Sequence, residues 1–176
     1  MNLKIRVERT EDYKKTEELV RSAFESEEFS DKKEHLLVNR IRKTEAFVPE
    51  LSLIAENSHQ EIIGHILFSK VKIVNETKAV ESLALAPVSV IPEYQNKGVG
   101  SLLINFALSA AKELGYQSVI VLGHPDYYPK FGFKRASTWG IQAPFDVPDE
   151  VFMALELTEN SLADVTGVVQ YSESFS

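Results

Sequence analysis

A glycine-bearing segment between a predicted strand and a predicted helix reads Gln95-Asn96-Lys97-Gly98-Val99-Gly100-Ser101. Glycine lets the backbone approach a ligand closely, and the first N–H groups of a helix have no acceptor within that helix. These N–H groups and the helix dipole favour an anion, typically a phosphate, and Lys97 adds a positive charge. The same spacing also suits a tight strand-to-helix turn that happens to use glycine, so the segment alone leaves both interpretations open.

Two better-known phosphate motifs are excluded by the residues around this segment. A P-loop needs Gly-Lys-Ser/Thr four residues beyond a first glycine, and no such string occurs. The dinucleotide fingerprint needs a glycine or alanine three residues after Gly100, where this chain has Leu103. A dinucleotide fold would also begin with alternating strands and helices, whereas here a helical region precedes a run of strands.

The composition is that of a single soluble globular domain. The chain has 176 residues, of which 44% are hydrophobic and 26% are charged. A net charge of −7 without a dense stripe of Lys and Arg argues against nucleic acid. The absence of cysteine excludes disulfides, thiolate metal sites and a cysteine nucleophile, and fits a reducing cytoplasm. No apolar run approaches the roughly 20 residues that cross a membrane, so we expect a cytoplasmic protein without a membrane partner.

The first half of the chain predicts a strand, two helices and a meander. Residues 3–7 alternate apolar and charged side chains, as a half-buried strand does. A helix-start signal at residues 10–12 leads into apolar residues at helical spacing, and residues 32–43 form a second amphipathic stretch. Three runs rich in β-branched residues follow after Pro49, separated by short polar turns, and predict an antiparallel meander: 51–56, 61–74 and 80–91.

The second half predicts a strand–helix–strand unit. Apolar residues recur at helical intervals over 99–114, and Gly115 is placed to end that helix. Residues 118–122 form a short apolar strand that should run parallel to 80–91. A short helical turn near 125–131 and a strand at 151–157 follow. The predicted fold is therefore α/β (α+β), with a mixed, mostly antiparallel central sheet. We expect one domain covering residues 1–176, with its core at about 3–157 and a C-terminal extension at 158–176.

Two motifs together resemble a known family. The string V-S-V-I-P-E-Y-Q-N-K-G-V-G-S-L-L at residues 88–103 is similar to the acyl-CoA signature Q/R-x-x-G-x-G/A of the GNAT superfamily of N-acyltransferases, and Y-P-K-F-G-F at 128–133 is similar to its Y-x-x-x-G-F element. The order of elements agrees with that family over about residues 3–157. Residues 167–171 further resemble its YhbS-like bacterial branch.

The resemblance implies acetyl-CoA as the acyl donor, without a metal. In the family, the backbone amides of the glycine-bearing turn hold the CoA pyrophosphate, which here means the amides from Gln95 through Ser101. The preceding strand, Val88, Ser89 and Val90, would pair with the pantetheine arm, and the Val90 N–H would polarise the thioester carbonyl. His124 stands where many relatives carry an asparagine that contacts CoA; cofactor contact, capping of the short helix and a role as base all remain open.

Tyr128 resembles the tyrosine that protonates the departing CoA thiolate. A thiol has a pKa of about 8.5 and tyrosine one of about 10, so full proton transfer is uphill by about 2 kcal/mol. The site must narrow that gap, or the proton moves only partly in the transition state. The alternative is that Tyr128 is one more half-buried aromatic beside Tyr127 and Phe131; the register against Gly132 favours Tyr128 over Tyr127.

The family often places a carboxylate base on the strand before the turn. Glu81 is the only acidic residue of 80–91, so the resemblance points to it, although it lies far upstream and a bulge at Pro87 would change its facing. A solvated carboxylate at the start of the strand is the other interpretation. No metal site is expected, because His35, His59 and His65 lie in separate elements.

These residues predict an N-acetyltransferase in which an amine attacks acetyl-CoA directly in a ternary complex. Without cysteine, an acyl-cysteine intermediate is excluded. The alternative is a CoA- or acyl-CoA-binding module without turnover. The acceptor is expected to be a small-molecule or peptide amine, and the acidic stretch at residues 25–28 is either a recognition loop for a cationic acceptor or a solvated loop. Relatives are often dimers, so a homodimer is compatible with the resemblance.

Overall fold

The computed structural model describes residues 2–25 and 32–172, and these two ranges form three α-helices and nine strands. The helices are α1 (Tyr13–Phe24), α2 (Glu34–Arg42) and α3 (Val99–Glu113). The strands are β1 (Lys4–Val7), β2 (Phe47–Glu56), β3 (Ile62–Val74), β4 (Ala79–Val90), β5 (Ser118–Leu122), β6 (Lys134–Arg135), β7 (Ile141–Gln142), β8 (Phe152–Glu156) and β9 (Gly167–Gln170). Short 3-10 turns connect several of them.

All nine strands join one mixed sheet. Its main order is β1-β2-β3-β4-β5-β8-β6, and the neighbours along this path are antiparallel except for the parallel pair β4–β5. The predicted meander and the strand–helix–strand unit are both confirmed, and α3 ends just before Gly115 as expected. The fold class inferred from the sequence is therefore correct.

Three short strands and one strand start differ from the sequence prediction. Strand β2 begins at Phe47, so Pro49 lies inside it, where the register with β3 is irregular. Strands β6 and β7 have two residues each, too few to produce an alternating pattern. Strand β9 lies in the segment expected to be an extension, yet it pairs with β3 and β7 and buries Val169 completely. Residues Gly167–Gln170 of that segment are therefore part of the sheet.

The two faces of the sheet are covered differently. On one face α3 packs its buried Leu103 against Leu83 and Leu85 of β4 in the largest apolar cluster. On the opposite face, α1 and α2 cover Leu67 of β3, while β9 and the segments before it cover Ala84 of β4. Strand β4 is therefore sandwiched between two apolar layers.

A bulge divides β4. Ile66 of β3 faces Val88 and Phe68 faces Leu85, so Ala86 and Pro87 together oppose a single β3 residue. The bulge suggested by Pro87 is thus confirmed. Side chains alternate between the two faces of a strand, so the extra residue reverses the face to which each later β4 side chain points. As a result the Val88 side chain, and not that of Ser89, packs on the α3 side.

The parallel pairing of β4 with β5 is brief. It comprises only Leu83 with Val119 and Ala84 with Ile120. Beyond Ala84 both strands continue without pairing to each other, so the sheet opens between them. The bulge lies on the β4 side of this opening.

A buried polar chain fixes α2 against the sheet. Arg42 of α2 donates to the Glu8 carboxylate at 2.6 Å and lies over the Tyr13 ring at 3.9 Å. Ser52 also donates to Glu8, at 2.7 Å, and lies 3.0 Å from His65 Nε2. Since the single Ser52 proton goes to Glu8, His65 must donate from Nε2, which fixes its neutral tautomer. Burial and then the Arg42 charge lower the pKa of His65 to about 3.

This histidine makes the stability of the fold sensitive to mild acid. The unfolded chain binds a proton at His65 below its ordinary pKa of 6.5, whereas the folded chain does so only near 3. The resulting stability is complete above pH 6.5 and falls as the pH drops, by about 2 kcal/mol at pH 5. We expect urea titrations between pH 7 and pH 4.5 to show this loss in the wild type.

The control for this prediction is His65→Gln, whose amide can still donate to Ser52 but does not titrate. Its unfolding free energy should be much less dependent on pH over the same interval. The Arg6–Asp12 ion pair does not interfere, because the lowered pKa of Asp12 means that this pair is lost only at a lower pH. An unchanged pH dependence in His65→Gln would show that another group is responsible.

Candidate active site

The start of α3 presents unpaired backbone donors. Gly98 precedes the helix with φ 84°, a left-handed conformation that favours glycine, and the helix start has no side-chain cap and no acidic residue in its first turn. The Leu102 N–H bonds back to the Gly98 carbonyl at 3.1 Å. The N–H groups of Val99, Gly100 and Ser101 therefore have no acceptor within the helix, and the local dipole favours an anion there.

The end of β4 exposes a second set of backbone groups. Ile91 donates to the Ile63 carbonyl at 3.0 Å, and bonding alternates along an antiparallel ladder. Val90 and Val88 therefore direct their N–H and C=O groups away from β3, towards the opening beside β5. Consistent with this, the Val90 carbonyl accepts a 2.9 Å bond from the Gln95 side chain, which fastens the glycine-bearing turn to the strand.

Two neighbouring tyrosines close the site after β5. The Tyr127 hydroxyl lies 3.1 Å from Ser101 Oγ, in the first turn of α3, and its ring meets that of Tyr128 edge-on at 5.1 Å. The Tyr128 ring packs directly over Gly123, where an added Cβ would overlap it. A glycine at 123 is therefore required for Tyr128 to occupy this position.

Tyr128 is 8% exposed, and its hydroxyl has no hydrogen-bond partner among the described residues. Burial raises the pKa of Tyr128 to about 12, with a smaller contribution from Tyr127. The side chain is therefore protonated at neutral pH and its hydroxyl proton is available to a ligand. At the same time it is a weaker acid than an ordinary tyrosine.

A cavity of about 520 Å³ brings these groups together. The predicted residues that line it are Val88, Val90, Gln95, Asn96, Gly98, Val99, Gly100, Ser101, His124 and Tyr128. Sequence reasoning missed three further lining residues, Tyr94, Tyr127 and Lys130. The Lys130 ammonium lies 4.2 Å from the centre of the Tyr127 ring, and it supplies a positive charge beside the helix start.

His124 contributes through its backbone as well as its position. Its carbonyl accepts the N–H of Tyr127 at 3.2 Å, so it starts the turn that presents the two tyrosines. Its exposed side chain has no hydrogen bond among the described residues and borders the cavity. This placement fits ligand contact, whereas the side chain does not cap the 3-10 turn Tyr128–Phe131, which starts from Tyr127 without a side-chain cap.

The structure leaves three predicted residues outside the cavity lining. Ser89 faces the opposite side of the sheet because of the bulge, and its buried hydroxyl has no hydrogen-bond partner among the described residues. The Lys97 ammonium lies 5.5 Å from the centre of the Tyr94 ring. Glu81 pairs across the sheet with Lys72. It stands seven residues before Val88 in β4, which places it roughly 20 Å from Val88 along the strand.

The acidic stretch at residues 25–28 cannot be assigned to the site, because Ser26, Glu27 and Glu28 lie outside the described residues. Within the described ranges, no group of three or more His, Cys, Asp or Glu side chains is arranged to hold a metal ion. None of the helices in those ranges has the length and apolar character needed to cross a membrane.

Comparison with known proteins agrees with this geometry. A model of the acetyltransferase (GNAT) family matches residues 13–133, which include α3, both tyrosines and the bulged strand. The chain belongs to this family. The predicted membership is therefore confirmed.

Two Escherichia coli K12 relatives share much of the sequence. The uncharacterized N-acetyltransferase YhbS is 31% identical over 171 residues, 97% of each chain. The uncharacterized N-acetyltransferase YjhQ is 39% identical over 127 residues, which cover 72% of this chain and 70% of YjhQ. The predicted similarity to the YhbS-like branch is thus confirmed.

Two solved structures are also similar. YhbS from Escherichia coli in complex with CoA superposes with a TM-score of 0.89 and 28% identity, over 99% of this chain and 92% of that chain. A GNAT family acetyltransferase from Brucella melitensis in complex with acetyl-CoA gives a TM-score of 0.80 with 30% identity over 99% of both chains.

The two glycines at the start of α3 should respond differently to alanine. Gly98→Ala forces a side chain into the left-handed conformation and should lower the unfolding free energy by about 1–2 kcal/mol. Gly100→Ala places its Cβ 3.5 Å from Tyr127 Oη, an ordinary contact, and should be neutral or stabilising by up to about 1 kcal/mol. Urea denaturation measures both, and equal effects would contradict the conformation assigned to Gly98.

Proposed function

We propose that this protein transfers the acetyl group of acetyl-CoA to an amine by direct attack in a ternary complex. The observation that carries the proposal is the single cavity in which the α3 N–H groups, the outward-facing amides of β4 and the Tyr128 hydroxyl meet. In the reaction, the amine nitrogen forms a bond to the acetyl carbon and the carbon–sulfur bond breaks. The nitrogen loses a proton and the CoA thiolate gains one.

The start of α3 is the proposed pyrophosphate site. It offers the N–H groups of Val99, Gly100 and Ser101, has no competing acidic side chain, and has Lys130 nearby. Backbone donors at a helix start suit a phosphate group without further side chains. The similar structures that hold CoA and acetyl-CoA support this choice of ligand.

The end of β4 is the proposed site for the pantetheine arm and the thioester. The Val88 and Val90 amides point into the opening beside β5, so an extended ligand can pair with them as another strand would. The Val90 N–H would then stabilise negative charge on the thioester oxygen during attack. Ser89, although predicted to lie along the ligand, would contribute neither its side chain, which faces the other side of the sheet, nor its backbone, which faces His65 of β3.

Tyr128 is proposed as the hydrogen-bond donor to the leaving thiolate. With its pKa raised to about 12, it is poorly suited to give up its proton completely. Full transfer to a thiolate whose conjugate acid has a pKa of about 8.5 would be uphill by about 5 kcal/mol. We therefore assign partial proton transfer in the transition state, with the proton balance completed by the one released from the amine.

Glu81 has no part in this proposal as a general base. Its position at the far end of β4 is beyond direct reach of the Val88–Val90 amides, and it lies beside Lys72 at the surface. The amine must still be neutral when it attacks, so either water accepts its proton or the acceptor is already unprotonated.

The donor site is tested by Gly100→Asp with Gly100→Ala as the matched control. The carboxylate would extend from the helix start into the cavity and repel the pyrophosphate, so we expect the affinity for CoA to fall by at least about a hundredfold. Alanine at the same position should leave it within about threefold. Calorimetric titration with CoA measures both, and retained affinity in a folded Gly100→Asp protein would exclude this site.

The role of Tyr128 is tested by Tyr128→Phe with Tyr127→Phe as the control. Loss of the donor at 128 should lower kcat by about 10²–10⁴ while the CoA dissociation constant changes little. Loss of the Tyr127 hydroxyl removes its contact with Ser101 and should act mainly on CoA affinity. CoA release measured over a panel of amines separates the two, and a larger kcat loss in Tyr127→Phe would reverse the assignment. Tight CoA binding without acetylation of any amine would favour a binding module instead.

A further inference from the structure

A second, larger cavity lies on the face of the sheet opposite α3. It has a volume of about 790 Å³, within the usual range for small-molecule sites. Ala84 and Ala86 of β4 and Ile120 and Leu122 of β5 line one side, and β9 with Phe145 lines the other. The alanines leave room above the strand, and the rim is open to solvent because Leu122 and Phe145 are both exposed.

Neighbouring residues of β4 line the two cavities. Leu85 and Ala86 line the apolar cavity, and Val88 and Val90 line the cavity at the start of α3. Only Pro87 of the bulge separates the two sets. A thioester held by the Val88 and Val90 amides would therefore be close to both cavities, and a molecule can enter the second from the other face of the sheet.

The chemistry of the apolar cavity argues against a cation. None of its described lining residues carries a charge at neutral pH: burial raises the pKa of Tyr171, the one titratable residue among them, to about 12. An alkylammonium entering this space would lose hydration without gaining a counter-charge from these described lining residues. A neighbouring cavity contains Glu45 and Glu81, but Lys70 and Lys72 balance them.

The rim of the cavity suits a flat ring. Phe145 and Tyr171 stack with ring centres 6.1 Å apart and planes 18° from parallel. Their faces and the adjacent alanines form an apolar wall on which an aromatic ligand gains dispersion and ring–ring contacts. The cavity therefore favours an aromatic acceptor over an aliphatic one of similar size.

We propose that the acceptor is a primary arylamine whose ring binds in this apolar cavity and whose nitrogen reaches the thioester past the β4 bulge. This inference rests on the proposed acetyl transfer and names its substrate class. The nitrogen of an arylamine is unprotonated at neutral pH because its lone pair is shared with the ring. It attacks the acetyl carbon without prior deprotonation, the carbon–sulfur bond breaks, and the proton then lost by nitrogen balances the one taken up by the thiolate.

With this acceptor the proposed reaction would need no general base such as Glu81. An alkylamine with a pKa of about 10.4 is almost wholly protonated at pH 7 and needs a base, whereas an arylamine does not. Apolar contact would then provide the binding of the acceptor. The competing occupant is a long acyl chain attached to CoA, which would have to pass between β4 and β5 to reach the same space.

The substrate test compares matched amines. With acetyl-CoA at pH 7, we expect kcat/KM for 4-ethylaniline to exceed that for 4-ethylcyclohexylamine and for putrescine by at least about tenfold. For the arylamine, kcat/KM should be level between pH 6 and pH 8. For an unassisted alkylamine it should rise about tenfold per pH unit. A preference for either alkylamine would overturn the proposal while leaving acetyl transfer intact.

The site test uses two phenylalanines of equal exposure. Phe145 is 47% exposed at the cavity rim, and Phe106 is 46% exposed on the outer side of α3. Phe145→Ala should raise KM for the arylamine by about tenfold, with CoA affinity unchanged, and Phe106→Ala should leave both unchanged. Equal effects of the two variants would exclude the cavity as the acceptor site.

Two further measurements separate the remaining outcomes. Calorimetric titration of 4-ethylaniline into the CoA-loaded protein should show binding that Phe145→Ala weakens, which tests the cavity even if no amine is acetylated. Octanoyl-CoA should be a poorer donor than acetyl-CoA. If octanoyl-CoA is preferred and Phe145→Ala removes that preference, the cavity holds the acyl chain and the arylamine proposal is wrong.

Discussion

The parallel pairing of β4 with β5 lasts for only two residue pairs, and the architecture of the site depends on where it stops. If the ladder continued, the outward N–H groups of Val88 and Val90 would be taken up by β5 and no edge would be free. The bulge at Ala86 and Pro87 sets which side chains face α3 beyond that point. One local break in pairing therefore creates an open backbone edge with different surroundings on its two sides.

Those surroundings differ in polarity. On the α3 side, unpaired helix amides, Lys130 and two tyrosines form a cavity suited to a phosphorylated ligand. On the opposite side, the described lining is uncharged and includes alanines and stacked aromatic rings. The sheet thus keeps an anion-binding and an apolar environment apart while one stretch of β4 borders both. The proposed reaction between a CoA thioester and an apolar amine would use both environments, the first for the phosphates of CoA and the second for the apolar part of the amine.

The packing on both faces of the sheet supports this strand. Leu103 of α3 packs on one face of the sheet, and the Arg42–Glu8–Ser52–His65 chain secures α2 behind β3 on the other. Because these polar groups are buried, each depends on its partner, and the neutral state of His65 is part of the folded structure. Sites built on such supported strands retain their geometry better than sites built on loops.

The sequence by itself determined the helices, the meander, the strand–helix–strand unit, the glycine-bearing helix start and the family, because each is encoded within a few neighbouring residues. The bulge was also predictable, since Pro87 cannot donate a ladder hydrogen bond. Only the tertiary structure decided the rest. Four features depend on residues far apart in the chain. They are the β9–β3 pairing, the Ser101–Tyr127 contact, the facing of the Ser89 side chain away from α3 and the distance of Glu81 from the site. Such long-range contacts follow from packing and strand register, which no local pattern specifies.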